Sequence, residues 1–245
     1  MSEKGNQAVK TVSFMMLITL FGKILGMVRE QLLAANYGTD MQAAAFLLAS
    51  RIPRTFFDVI FASAISASFI PVFVEYLQKK GRQEAFSLAN RFITMISTVT
   101  LLMMLLGMAF AKPLTLLIAP GYDVETVTLC VGLLRMLFPT MLFTAVAFSF
   151  VGILQSLEEF NVPAALSVVS NGVLILYYIF FNEKFGILGL TVAFLIGWAM
   201  QAVIQIPSLW KKGYHYRPDF HFKDDGLRKI GRLMLPVMVS TWIQP

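Results

Sequence analysis

The sequence holds 245 residues, 57% of them hydrophobic and only 14% charged, with a net charge of +6 and a mean hydropathy of +0.71. Soluble domains carry about 25% charged residues, so the composition excludes that class, and long continuous apolar runs in place of alternating ones exclude a β-barrel. The fold class is an all-α, polytopic membrane protein, in which the excess of lysine and arginine marks topology rather than nucleic-acid binding.

Seven apolar segments follow one another, at residues 11–36, 41–76, 88–112, 124–150, 161–181, 186–210 and 229–245. Most are near or above the roughly 20 residues that cross a bilayer. The first carries Lys23, Arg29 and Glu30 in its interior. At about 100° per residue, these three share with Gly22 and Gly26 a stripe about a third of the helix circumference wide. Gly22 and Gly26 are a small-xxx-small pair, the pattern of a close helix-packing surface. In the second segment Arg51, Arg54 and Asp58 fall within about 60° of one another, and Pro53 is the expected place for a kink. An ionised side chain at mid-bilayer costs about 2.5–3.5 kcal/mol even on a lenient scale. The two stripes are therefore expected to face each other or a shared water-filled cavity. Lys23, Arg29, Arg51 and Arg54 are its candidate cationic lining, with Glu30 and Asp58 as charge partners.

The third, fifth and sixth segments carry no charge in their interiors and read as ordinary lipid-compatible helices. In the fourth, Arg135 is the only charge between Glu125 and Glu158. It is a further candidate for the cavity, or a donor to backbone freed near the hinge residue Pro139. Met103 to Met108 read as core. The one cysteine, Cys130, lies in an apolar run without an internal disulfide partner.

Basic residues alternate between loops. Lys4 and Lys10 precede the first segment, Lys79, Lys80 and Arg82 follow the second, and Lys211, Lys212, Arg217, Lys223, Arg228 and Lys229 follow the sixth, whereas the opposite loops hold only Lys112 and Lys184. This bias places the N-terminus in the cytoplasm. The organisation reads as a six-span lobe over 1–210, a basic cytoplasmic linker over 211–228, and the first span of a second lobe over 229–245. His215 and His221 in the linker read as solvated side chains rather than metal ligands. The last segment stops at Pro245 without flanking polar residues, so the sequence is expected to be the front part of a longer protein. No nucleophile, zinc or phosphate-loop motif is present, so the chain is not read as an enzyme, and no cofactor or metal is expected.

Several short pieces, in this order and spacing, resemble the MurJ/MviN family of lipid II flippases in the multidrug/oligosaccharidyl-lipid/polysaccharide exporter superfamily. They are Gly26-Met-Val-Arg29-Glu30, Tyr37-Gly38, Ser68-Phe-Ile-Pro71 through Glu75-Tyr76, Ala119-Pro-Gly121-Tyr122, Phe138-Pro139, Gly152-Ile-Leu-Gln155 and Phe160-Asn-Val-Pro163. The resemblance covers essentially the whole chain, as the N-terminal half of a protein of about fourteen spans. Two departures stand out: Ala44 sits where the family usually has an acidic residue, and Phe57-Asp58 followed by Ala62-Ser63-Ala64 replaces a basic pair and a Glu-Gly-Ala element.

The resemblance implies a multi-pass protein of the bacterial cytoplasmic membrane. It would move an undecaprenyl-diphosphate-linked sugar-peptide from the inner to the outer leaflet by alternating access, its cationic stripe taking the diphosphate. It also implies a coupling ion, sodium or proton, bound in the missing half, together with contacts to membrane lipids and wall-synthesis proteins. Two alternatives stay open: another exporter of the superfamily, for an O-antigen- or teichoic-type lipid-linked oligosaccharide or for drugs and cations, and a non-transporting scaffold of wall synthesis.

Overall fold

A computed structural model describes residues 3–38, 40–57 and 65–243, whose regular elements are all helices, with no strand among the described residues. Helix α1 spans Glu3–Tyr37 and α2 spans Met41–Phe57. After the undescribed residues 58–64 the second segment resumes as a π-helical turn, Ile65–Phe69, continued by α3, Ile70–Lys79. Helix α2 runs through Pro53 to Phe57, and the irregular backbone of this segment among the described residues lies at the π-helical turn. Asp58 lies outside the described residues.

The third segment is α4, Arg82–Ala109, extended by the short α5, Ala111–Ile118. The fourth is broken at Pro139 into α6, Val124–Leu137, and α7, Thr140–Ser156. Asp123 starts α6 as an N-cap, its carboxylate accepting from the backbone N–H groups of Glu125 and Thr126 at 3.1 and 3.2 Å. At the break, the Thr140 hydroxyl donates to the Leu137 carbonyl at 2.6 Å, covering an acceptor that an unbroken helix would satisfy. A single turn, α8 (Asn161–Ala164), leads to α9, Leu166–Phe180. Then come α10, Asn182–Val203, bent at Gly186 where φ is 53°, and α11, Ile206–Lys211. The seventh segment is α12, Asp225–Ile243, with charged first turns. Five stretches among the described residues are long and apolar enough to cross a membrane: 12–37, 82–109, 124–156, 161–180 and 182–211.

Two apolar cores occupy the two ends of the bundle. One joins the π-helical turn, α3, α4, α7 and the start of α12 around Phe69, Phe73, Phe92, Ile153 and Ile230. The other joins α1, α2, α6, α9 and α10 around Tyr37, Phe46, Leu134, Leu174 and Leu190. In a bilayer, helices gain little from apolar burial alone and need close packing and interhelical hydrogen bonds. Accordingly, the ends of α1 and α10 are tied by Tyr37 Oη donating to Asn182 Oδ1 at 2.5 Å and by Asn182 Nδ2 donating to Asn36 Oδ1 at 2.8 Å.

The linker is bound to the bundle along its length. Tyr214 is 1% exposed, and its hydroxyl donates to Asn90 Oδ1 at 2.8 Å. Arg91 on α4 pairs with Asp219 at 2.9 Å and with Asp224 at 2.7 Å. Thr94 Oγ1 accepts from the Asp219 backbone N–H at 3.1 Å and shares a hydrogen bond with the Tyr216 hydroxyl at 3.0 Å. His221 pairs with Asp219 at 2.7 Å, and His215 stacks on Trp210. The Asp219 carboxyl is held below the usual carboxylate range, chiefly by the His221 backbone N–H and then by the His221 ring and Arg91.

Arg91→Gln is expected to raise hydrogen–deuterium exchange across 214–221 by at least ten-fold while leaving exchange in α9 unchanged. Because the Asp219 pKa is depressed on folding, its contribution is present above the ordinary carboxylate pKa of about 4 and is lost as pH falls through the lower folded value. Linker protection should therefore hold as pH drops towards about 4 and collapse only below it. Unchanged exchange in Arg91→Gln would show that the linker is held by something other than this pair.

Candidate functional site

Arg29, Arg51 and Arg54 meet at one cavity of about 230 Å³. Its walls come from four helices: Arg29, Glu30 and Leu33 of α1; Phe46, Leu47, Ser50, Arg51 and Arg54 of α2; Leu174 and Tyr178 of α9; and Phe194 of α10. Helical repeat explains the convergence. Arg51 and Arg54 stand one turn apart on α2, and Arg29 lies one turn before Leu33, which is buried where α1 meets the second core.

Arg29 is held from both α1 and α9. Its Nη1 donates to Asn171 Oδ1 on α9 at 3.1 Å, and its Nη2 pairs with Glu30. Its side chain is 27% exposed against 56% for Glu30, so the guanidinium is the more enclosed member of the pair. Asn171 is itself buried and bonded at both ends of its amide, its Nδ2 donating to the Gly22 carbonyl at 3.1 Å. The same amide thus holds α9 against α1 and aims the arginine. Gly22 makes this approach feasible, because a Cβ there would lie 2.2 Å from Ser167 Oγ; at Gly26 the distance to Asn171 Nδ2 would be 3.5 Å.

The other candidates lie elsewhere. Lys23 is exposed on α1, about 9 Å along the axis from Arg29, and does not line the cavity. Arg135 is exposed and donates from Nε to the Met108 carbonyl near the end of α4 at 3.3 Å, away from the cavity. Pro53 is buried beside a narrow crevice of about 10 Å³ that shares Ser50, Arg54 and Phe194 with the cavity and runs on to Thr140, Thr144 and Trp198. Pro139 marks the break between α6 and α7.

Sequence reasoning missed Asn171, Tyr178 and Phe194. The fifth segment, read as an ordinary lipid-facing helix, carries Ser167, Ser170 and Asn171. An amide in a span otherwise free of charge was the available signal that one face of α9 meets something polar.

A family model described as "Lipid II flippase MurJ" matches residues 33–244. The "Probable lipid II flippase MurJ" of Buchnera aphidicola subsp. Acyrthosiphon pisum is 31% identical over 228 residues, covering 91% of this chain and 45% of the relative. The "Lipid II flippase MurJ" of Burkholderia cenocepacia is 26% identical over 197 residues, covering 79% of this chain and 38% of the relative. The chain spans about half the length of the curated relatives it matches. Among solved structures, a lipid II flippase MurJ in an inward closed conformation superposes with a TM-score of 0.76 at 25% identity, covering 93% of this chain and 47% of that one. The Vibrio cholerae MATE transporter VcmN in its bent form gives 0.76 at 16% identity, covering 97% and 55%, a likeness of fold alone.

If the α1–α9 contact positions Arg29, Gly22→Leu should destabilise the protein by about 1–3 kcal/mol through overpacking. Gly132→Leu, at a position with nothing within 4 Å, should be near neutral. Thermal unfolding in detergent checks the pair, and equal midpoints would remove the claim that α1 and α9 are in close contact.

Proposed function

This chain belongs to the lipid II flippase MurJ family, and on that premise we propose that it forms the N-terminal lobe of a flippase for an undecaprenyl-diphosphate-linked sugar-peptide. It is an integral membrane protein of the bacterial inner membrane. The observation that carries the reading is the convergence of Arg29, Arg51 and Arg54 on one cavity between α1, α2, α9 and α10. Arginine suits this task. Its guanidinium stays charged, presents five donors in a rigid fork, and matches phosphate oxygens in pairs. Low dielectric strengthens each such bond, and a hydrated cavity keeps the cost of holding the cations tolerable.

In the proposed cycle the N-terminus is cytoplasmic and the diphosphate enters from the cytoplasmic leaflet. The arginines exchange water for phosphate oxygens while the polyprenyl tail stays in lipid. Rocking of this lobe, residues 1–210, against a second lobe beyond the 211–228 linker then turns the head group to the outer face. No covalent bond is made or broken, and a sodium or proton gradient acting on the second lobe supplies the direction. Contacts with wall-synthesis proteins follow from the same reading. The sign of the cavity favours an anionic cargo over the cations and drugs of related exporters, because three arginines line it with one carboxylate, Glu30, among the described residues.

Single Arg29→Ala, Arg51→Ala and Arg54→Ala changes in the full-length protein should leave membrane abundance near normal. Each should lower flipping about 10- to 100-fold, the worth of a charge-assisted hydrogen bond. Growth of a flippase-depleted strain, with membrane levels measured in parallel, checks this. Normal growth of all three variants would remove the arginines from substrate contact.

A further inference from the structure

Besides its arginines, the cavity carries a wall of rings. Phe46 and Phe194 both line it, 5.8 Å apart and edge-on at 84°. Phe194 lies 6.1 Å from Trp198, which lines the crevice leading on past Ser50 and Arg54. Phe194 and Trp198 are i and i+4 on α10 and so share one of its faces. The row therefore runs from α2 along α10, beside the cationic groups rather than among lipid chains.

A diphosphate has no use for such a wall, since its oxygens need donors. A pyranose ring does: one face is a patch of C–H bonds, and its rim of hydroxyls needs polar partners. Aromatic side chains offer a large, flat apolar surface at little conformational cost. Ser50 and the arginines supply polar groups at the edge of that surface. Size points the same way. At about 230 Å³ the cavity is smaller than the roughly 300–1,000 Å³ typical of a drug-sized ligand site. It has room for a group adjoining the diphosphate and not for a whole sugar-peptide head.

We propose that Phe194, backed by Trp198, forms a sugar-recognition subsite, against which the first pyranose ring attached to the diphosphate stacks. This rests on the lipid-linked substrate proposed above. The subsite makes the cavity a reader of cargo: arginines take any polyprenyl diphosphate, and the rings favour one that already carries its sugar. Bare carrier lipid would then be a poor passenger.

The test compares two lipids, undecaprenyl diphosphate and the same lipid bearing a disaccharide without peptide, binding to the full-length protein in nanodiscs. The wild type should prefer the sugar-bearing lipid roughly ten-fold, the scale of one good ring contact. Phe194→Leu and Trp198→Leu, made separately so that one misfolded variant leaves the other to decide, should each bring the ratio towards one, the loss falling on the sugar-bearing lipid. Phe194→Tyr and Trp198→Phe should keep the preference. No preference in the wild type, a preference retained in the leucine variants, or equal weakening of both lipids would each overturn the subsite. Failure of the wild type to bind either lipid would instead overturn the proposed function, and the subsite with it.

Discussion

A cation inside a bilayer must be given polar partners, and the arrangement of this lobe around Arg29 follows from that constraint. The guanidinium has Glu30 beside it on α1 and Asn171 across on α9. Asn171 reaches it only because α9 lies close against α1, and that approach depends on the missing side chain at Gly22. The amide that meets the guanidinium also binds the Gly22 carbonyl, so one residue serves both site and helix packing. The same contacts that bind the two helices together hold the arginine at the cavity.

Elsewhere the helices are interrupted. Breaks in the backbone fall at a π-helical turn after α2, at Pro139 between α6 and α7, and at Gly186 in α10. Irregular backbone at membrane depth is tolerated where protein or a hydrated cavity satisfies its polar groups, and Thr140 does so beside the second of these breaks. At the other end the linker is fastened to α4 through Arg91, Asn90 and Thr94. A segment held in this way moves with the helices it is fastened to.

The charge stripes were legible in the sequence because they obey local geometry. Arg51 and Arg54 are one turn apart, Arg29 stands on the glycine face of α1, and a 3.6-residue repeat is enough to bring such groups to one side. The helical segments were legible for the same reason, although α4 begins at Arg82, before its apolar run, and the fourth segment is two helices. Partners 142 residues away, such as Asn171 for Arg29, were not legible, since no local pattern encodes which face of α9 meets α1. The linker contacts were hidden likewise: Arg91 and Asp219 are 128 apart, and charge count alone could not tell a fastened segment from a loose one. Lys23 shows the limit of a helical wheel, which gives direction around an axis but not depth along it. Arg135 had two readings, cavity or backbone, and its observed donation is to the carbonyl of Met108.

The central claim is that the arginine cavity receives a lipid-linked diphosphate. Photo-crosslinking in living membranes tests it most directly, with a benzophenone amino acid placed in the full-length protein at Leu47, which lines the cavity, or at Leu188, which is exposed on the outside of α10. The account predicts capture of the radiolabelled diphosphate lipid at Leu47 that falls when Arg51→Ala is added, with little capture at Leu188. Equal labelling at both positions, insensitive to the loss of Arg51, would contradict it.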